Sequence, residues 1–498
     1  MKRIMLLTLF VTGLGELQAQ TEIDLFRFSA LRQHPTGRMA GLGGAFGALG
    51  ADVGGSTINP AGLATFRRST ISLSPGFISQ QSTSDYLGNS TGDNRNRMMI
   101  SNLGFVYAKV PEDRSSKWKQ VNYGFSLNRT NNYLNQQRYE GVNRNSSMID
   151  FFVQEANADP LEFFPEDYPF SAALAETAGL IFPSIPGNRA STYLGIVPNG
   201  GITQRESIRS TGNTSEYNFS IAGNYDNILH IGGGVSLMSS SFTQTEIYSE
   251  SDHMDSIFDF REFTYRRDLG VDADGFMFRF GAILQPVPWF RLGLSYESPT
   301  RYTVTEDYRA EIEASFTEEP TFGSARSPLY RPFVYRYRTT GRATFSTAVL
   351  FEGKGLISFD YDFVPFDNLT VLPLRSDQSA AGWARDLNDQ VALVFRSTNN
   401  VRVGGEYVMG PMAFRAGYAY WGGPFRRDVI TGGGDLVQQD YTGGIGFRFE
   451  NMSLDFAIVH ARWQNYRSPY TVVGLPEDGV LFRNRRTTAI MTLGFRFD

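Results

Sequence analysis

GFMFRFGAILQPVPWFRLGLSYE, residues 275–297, sets out the repeating pattern of the chain. Phe276, Phe278, Phe280, Ala282 and Leu284 alternate with Met277, Arg279, Gly281 and Gln285. Beyond a short connection at Pro288, Phe290, Leu292, Leu294 and Tyr296 alternate with Arg291, Gly293, Ser295 and Glu297. A two-residue period belongs to a strand with two different faces, so the stretch predicts a hairpin. The same alternation returns at residues 357–363, 412–420 and 441–449. One face is aromatic and aliphatic, and the other carries arginine, aspartate and glycine. A soluble sandwich also alternates, but these runs are too long and too many for one.

Strand centres fall near Leu73, Phe105, Phe125, Ser220, Gly234, Arg279, Leu294, Thr344, Asp360, Gly404, Ala416, Gly446, Phe456 and Leu493. Short connections lie near Asp113, Asp226, Pro288, Gly353, Pro411 and Asn451, and long ones near Asp85, Ala172, His253, Phe322, Ala381, Gly433 and Glu477. This alternation predicts an all-β fold, a transmembrane antiparallel β-barrel of about fourteen strands, with short periplasmic turns and long external loops. Residues 68–498 form the barrel in this reading. Charges facing lipid cost a few kcal/mol each near the midplane. Arg279, Arg291, Glu297, Asp360, Asp362, Arg402, Glu406, Arg415, Arg448, Asp455 and Arg496 are therefore expected to face a lumen. There they either lock a plug to the wall or receive a ligand carboxylate, for which guanidinium is suited.

After the first twenty residues no apolar run is long enough for a membrane-spanning helix. Residues 1–19 read as a secretory signal: Lys2 and Arg3, an apolar core from Ile4 to Leu14, then Leu17-Gln18-Ala19. The segment from 20 to 67 contains GLGGAFGALGADVGGSTINPAGLA, residues 41–64, with Asp52 as its one charge. Its glycine density disfavours a regular strand or helix. A flexible linker would be polar and Ser-rich, yet Leu42, Phe46, Leu49, Val53, Ile58 and Leu63 recur here. A compact plug inside the barrel is expected. Asn59, Pro60, Ala61 and Gly62 form its rigid turn into the first strand.

A glycine-rich N-terminal segment closing on Asn59-Pro60-Ala61-Gly62 before the first strand resembles the hatch of the FadL family. The resemblance implies an outer-membrane channel of a Gram-negative bacterium, taking up hydrophobic compounds such as long-chain fatty acids passively, with the hatch as gate. It implies the lipid bilayer and a hydrophobic small molecule as partners. The insertion about 135–213 has helical spacing at Ile149, Phe152, Val153 and Ala156, and at Phe170, Leu174, Ala178 and Ile181. A second helix is expected over 380–394. Such external helices either cap the barrel or expose a groove; FadL relatives place ligand capture there, which points to Phe152, Phe163, Phe164, Phe170 and Leu174. Family members exit cargo beside a kinked third strand, which here contains Gly124 and ends near Gly141. The last strand, with Met491, Leu493, Phe495 and Phe497 on one face, looks like the signal read by the outer-membrane insertion machinery, apart from the extra Asp498. Some FadL-like barrels, of the PorV type, resemble adaptors in protein secretion, and this is the alternative function.

Other chemistries find little support. Cysteine is absent, which excludes disulfides and thiolate metal sites. The four histidines show no ligand spacing, so no metal and no cofactor is expected. Asp268, Asp272 and Asp274 depart from the EF-hand pattern. No Gly-x-Ser-x-Gly elbow occurs, and no enzyme is predicted. A net charge of −5 argues against nucleic acid.

Overall fold

The computed structural model describes residues 22–30, 32, 34–111, 115–158, 165–197, 200–252, 254, 256–317, 322–374, 378–426, 436–476 and 478–497. The wall has fourteen strands, and all fourteen predicted centres fall in them. They are β1 (Ser69–Tyr86), β2 (Asn89–Lys109), β3 (Trp118–Asn132, continued by Asn135–Asn143), β4 (Ile202–Tyr225), β5 (Leu229–Ser251), β6 (Glu262–Val287) and β7 (Phe290–Glu297, continued by Arg301–Ser315). Then come β8 (Phe333–Arg338, continued by Arg342–Phe351), β9 (Gly355–Pro365), β10 (Ser397–Met409), β11 (Met412–Trp421), β12 (Gln438–Arg448), β13 (Met452–Arg467) and β14 (Val480–Phe497). Each pairs antiparallel with the next, and β14 returns to β1 from Ser69↔Phe497 to Asp85↔Leu481, so the barrel is closed.

Alternation decides which way each side chain points. Ile71, Leu73 and Phe77, Tyr217, Phe219 and Ile221, and Phe276, Phe278 and Phe280 are exposed on the outer wall. On β5 the outward run Ile231 and Leu237 passes upward into Ser239, Ser241, Thr243 and Thr245. An apolar belt thus circles the lower barrel, and polar strand continues above it. β4, β5 and β6 have 24, 23 and 26 residues, against about ten needed to cross a bilayer.

This height corrects one expectation. No long loop lies near Asp85: β1 and β2 continue to a tight turn at Leu87 and Gly88, both with positive φ. Their Ser, Thr, Asn and Gln residues are polar like a loop, but they are β-competent once paired. The second helix of the insertion is also shorter than its periodicity suggested. Among the described residues three helices lie in the long loops between strands: α3 (Met148–Ala156), α4 (Ala172–Thr177) and α5 (Gln378–Val394). Gly179, at φ +81, ends the α4 segment, and Ile181 belongs to a small hairpin with Tyr193–Gly195.

The lumen is filled from the N-terminal side by α1 (Glu22–Ser29), α2 (Gly37–Gly41) and two 3-10 turns, Val53–Thr57 and Pro60–Thr65. These backbone ends are capped by side chains: Thr36 accepts from Met39 N, Asp52 from Gly54 N and Asn59 from Ala61 N. The wall meets this hatch with glycine. Gly104, Gly124, Gly232, Gly281, Gly293, Gly404, Gly417 and Gly444 stand on eight different strands and face it. A Cβ on Gly404 would lie 2.3 Å from Leu42 O, and one on Gly293 would lie 2.4 Å from Gly47 O. At Gly232, Gly293, Gly404 and Gly417 backbone therefore packs on backbone, while Gly104, Gly124 and Gly281 make room for Val53, Leu63 and Asn59.

Candidate functional site: the lumen, its hatch and a seam in the wall

Asn59 is the centre of the hatch contacts. It is buried, and its Nδ2 donates to Gly47 O at 2.7 Å and Ala282 O at 3.2 Å, while Oδ1 accepts from Ala61 N at 3.0 Å. One side chain thus ties a hatch turn, the hatch itself and β6 together. Pro60, Ala61 and Gly62 follow it, all buried, as the first turn of the 3-10 segment. Asp360 on β9 accepts from Phe46 N at 2.9 Å and Gly47 N at 3.0 Å, a small amide nest closed by a wall carboxylate.

The predicted lumen charges face inward and mostly pair with one another. Arg279 bridges Glu216 at 2.8 Å and Glu297 at 2.7 Å. Arg402 binds Asp362 at 2.6 Å and Asp360 at 3.1 Å. Arg415 binds Glu406 at 2.6 Å and Asp455 at 2.7 Å, and Arg448 joins Asp455 at 2.9 Å. Arg38 of the hatch reaches Glu406 at 3.3 Å, so the lattice ties plug to wall. Arg291 instead donates to Gln285 Oε1 at 3.1 Å. Sequence reasoning missed Glu216 and Arg38. The signal for Glu216 was its inward parity in a serine-rich run, and for Arg38 its place just before the stretch 41–64, which has one charge.

Above the hatch the lumen becomes apolar. Leu25, Phe26 and Phe28 of α1 are buried among Tyr133, Phe242, Met277, Tyr302, Tyr337 and Phe366, with Ala384, Leu387 and Val391 of α5 closing the group. Phe26 stacks edge-on against Phe366 at 5.1 Å, and Tyr337 Oη donates to Leu25 O at 2.7 Å. Asn388 holds α5 down through paired bonds with Val371 N and O, at 2.8 and 2.9 Å. Below the hatch lies the opposite environment: a cavity of about 400 Å³ lined by Arg38, Asp52, Glu406, Arg415, Arg448 and Asp455.

The external cap is a second apolar cluster. Phe152 and Leu174 are buried in it, and Phe170 is half-buried with its ring 5.0 Å from Tyr308. Phe163 and Phe164 lie outside the described residues. α3 is anchored at its start by Glu250, whose carboxylate accepts from Met148 N at 2.7 Å, Gln204 Nε2 at 2.9 Å and Tyr248 Oη at 2.6 Å, and from Ser147 Oγ. Full burial pushes the Glu250 carboxyl up to about 7 despite these donors. The folded state therefore holds a proton that the unfolded chain releases near 4.5. Stability is greatest at or below that lower pH, falls as pH rises to about 7, and is level above it, by roughly 3 kcal/mol in all. Hydrogen exchange at the α3 amides, corrected for intrinsic rates, should be faster at pH 8 than at pH 5.5. Glu250→Gln should remove most of that difference; an unchanged difference would assign it elsewhere.

The wall itself is interrupted between β2 and β3. They pair only from Asn102↔Asn128 to Lys109↔Val121. Higher up, β2 pairs with β1 alone and β3 with β4. Two local features open this seam. Pro75 cannot donate to the ladder, and the register slips between Ser74 and Pro75, which leaves Ser101 and Asn102 both pointing inward. β3 also breaks at Tyr133 and Leu134, opposite Gly212 at φ +127. α1 is fastened to this break: Asn131 Nδ2 donates to Arg27 O at 3.3 Å and Ala30 O at 3.2 Å.

A closed, belted barrel with a plug is the architecture of an outer-membrane β-barrel. No family model and no curated protein matches the sequence. Solved structures do match the fold over nearly the whole chain. One is a FadL homologue of Pseudomonas aeruginosa, with TM-score 0.57 and 14% identity over 94% of this chain and 100% of that one. Another is the toluene transporter TodX of Pseudomonas putida, with TM-score 0.51 and 11% identity over 94% and 99%. A TodX deletion mutant described as a monoaromatic hydrocarbon channel matches at 0.51 and 13%, over 93% and 99%. The chain has the FadL-type fold, as the Asn-Pro-Ala-Gly segment suggested.

Proposed function

We propose that the protein admits small hydrophobic molecules through the outer membrane passively. The observation that carries this is the aromatic chamber inside the upper barrel, filled by Leu25, Phe26 and Phe28 of α1. A pore for polar solutes has no use for a dry lumen, whereas burying hydrocarbon there is worth about 25 cal/mol per Å². A molecule captured at the external helices, among Phe152, Phe170 and Leu174, takes the place of α1. The charged cavity beneath the hatch is a poor next station for it, because hydrocarbon would displace water from paired ions. The seam beside β3 opens toward the lipid belt instead. Since Asn131 joins α1 to β3, displacement of α1 releases the strand that borders the seam. Asn59, Pro60, Ala61 and Gly62 keep the hatch shut below.

Uptake of a radiolabelled long-chain fatty acid and of toluene by cells making the protein should exceed that of cells without it. Asn59→Ala leaves buried partners at Gly47, Ala282 and Ala61 unpaired, each worth about 1–3 kcal/mol, and should lower this uptake. Insertion is checked by the displaced band of unboiled protein on a detergent gel. Uptake no greater than background, with normal insertion, would overturn the transport reading and favour the secretion adaptor.

A further inference from the structure

Four arginines gather along the seam, Arg129 lowest, opposite Ser215 of β4, and Arg209 higher, opposite Gln136 of upper β3. Arg95 and Arg97 stand on β2 above the exposed Met98 but with the opposite parity, half-buried and reaching across the seam, Arg129 is the first outward residue above Leu127 on β3, and Arg209 faces outward on β4. They are close enough to repel: Arg95 feels Arg97 and Arg209, and Arg129 feels Arg97. Among the described residues no carboxylate pairs with any of them. Arg95 donates across the seam to the backbone oxygens of Ser210 at 2.7 Å and Asn135 at 3.3 Å, and Arg97 to Thr211 Oγ1 at 3.2 Å. Arg129 Nε is buried without a hydrogen-bond partner. The nearby carboxylates are already engaged: Asp93 by Arg138 at 2.7 Å, and Asp268 by Arg266 at 2.7 Å.

Arg279, Arg402 and Arg415 are each held by two carboxylates, and these four by none among the described residues. Four uncompensated ones in one place repel each other and imply a missing anion. The outer wall around them identifies it. Below them the outer wall is apolar, with Met98 at 79%, Ile100 at 54% and Tyr217 at 40% exposure. Above them it is mostly polar, Val142 and Ile247 excepted. This is the plane of lipid headgroups, where tyrosine also collects. A ligand matching both halves carries an anion in that plane and acyl chains beneath it. Guanidinium forks bind phosphate in a bidentate manner, and several together favour a multiply charged group.

We propose that Arg95, Arg97, Arg129 and Arg209 dock the phosphorylated headgroup of an outer-leaflet glycolipid, whose acyl chains lie over Met98 and Ile100 and cover the seam. The proposal rests on the membrane placement above but not on transport. A lipid held there closes the gap that the β2–β3 ladder leaves.

The test is binding to the purified full-length barrel in neutral detergent, read by native mass spectrometry. The probes are a bis-phosphorylated acylated glucosamine disaccharide, its dephosphorylated form, a long-chain fatty acid and inorganic phosphate. The phosphorylated lipid should bind at least about ten-fold more tightly than each of the others, and binding should weaken with salt. The Arg97→Gln/Arg129→Gln protein should lose that advantage, while Arg326→Gln, an exposed arginine elsewhere, should keep it. Equal binding of the dephosphorylated lipid, of the fatty acid or of free phosphate would overturn the proposal. So would full affinity in the double variant with a normal gel band. If that variant fails to insert, Arg97→Gln alone decides: its one hydrogen bond among the described residues is to Thr211, and unchanged affinity would overturn the proposal. Uptake is not measured, so failure here leaves the transport reading standing, and the reverse holds too.

Discussion

Deleting residues 41–55 should convert a closed barrel into a conducting pore. In planar bilayers the intact protein is expected to pass little ion current, and the deletion variant to show steady open channels. Two observations give this large effect. The deleted stretch fills the lumen at the level of Gly293, Gly404, Gly417 and Gly444, where the wall offers no side chain to close the space. What lines the vacated lumen is charged: Asp360 loses its bonds to Phe46 N and Gly47 N and takes water instead, beside the wall pairs Arg402–Asp360 and Arg415–Glu406. Such a lumen wets readily, because desolvating those groups was the costly state. A variant that inserts normally and stays non-conducting would show that the remaining hatch or the external cap seals the barrel.

Gly281→Val should abolish assembly or leave the hatch unseated. A Cβ at this position would stand 1.9 Å from Asn59 Oδ1 and 3.1 Å from Pro60 Cδ. No rotamer relieves a clash with the branch point itself, and the opposing atoms belong to a capped, proline-fixed turn. Either the turn leaves, exposing the wall, or β6 bends and breaks its ladders to β5 and β7. The control is Gly443→Val on β12, where the nearest atom to a new Cβ is 4.0 Å away. Its side chain would point outward and add to the belt. Gly443→Val should give the displaced gel band of the native protein, and Gly281→Val should not. If both variants assemble alike and stay closed, the close packing of hatch on wall does not govern folding.

Much of this fold was legible because a barrel wall repeats one simple rule. Phe276 to Leu284 must face lipid and Arg279 must not, so parity placed all fourteen strand centres and the inward charges. The hatch was legible by exclusion, since its glycine density fits no strand. Three things were hidden. The tall polar rims of β1 and β2 read as loop, because strand pairing rather than hydropathy makes them strands. The seam depends on a register slip at Pro75 and a break at Tyr133, and register belongs to pairs of strands, not to either one. Partners such as Arg38 with Glu406 are 368 residues apart, and nothing local announces them. The four seam arginines lie between residues 95 and 209, and only the bent β3 brings them together.

The glycine ring also fixes an order of events during assembly. At the level of the hatch a finished wall is hydrogen-bonded all the way round, and the plug fits so tightly against it that it has no clearance to slide in afterwards. The first-made segment must therefore wait, unfolded, until strands some 400 residues later curve around it. Its contacts are among the most distant in the chain, which makes them slow to form. The closing step between β1 and β14 then traps the plug, and the barrel is cast around its own N-terminus rather than filled by it.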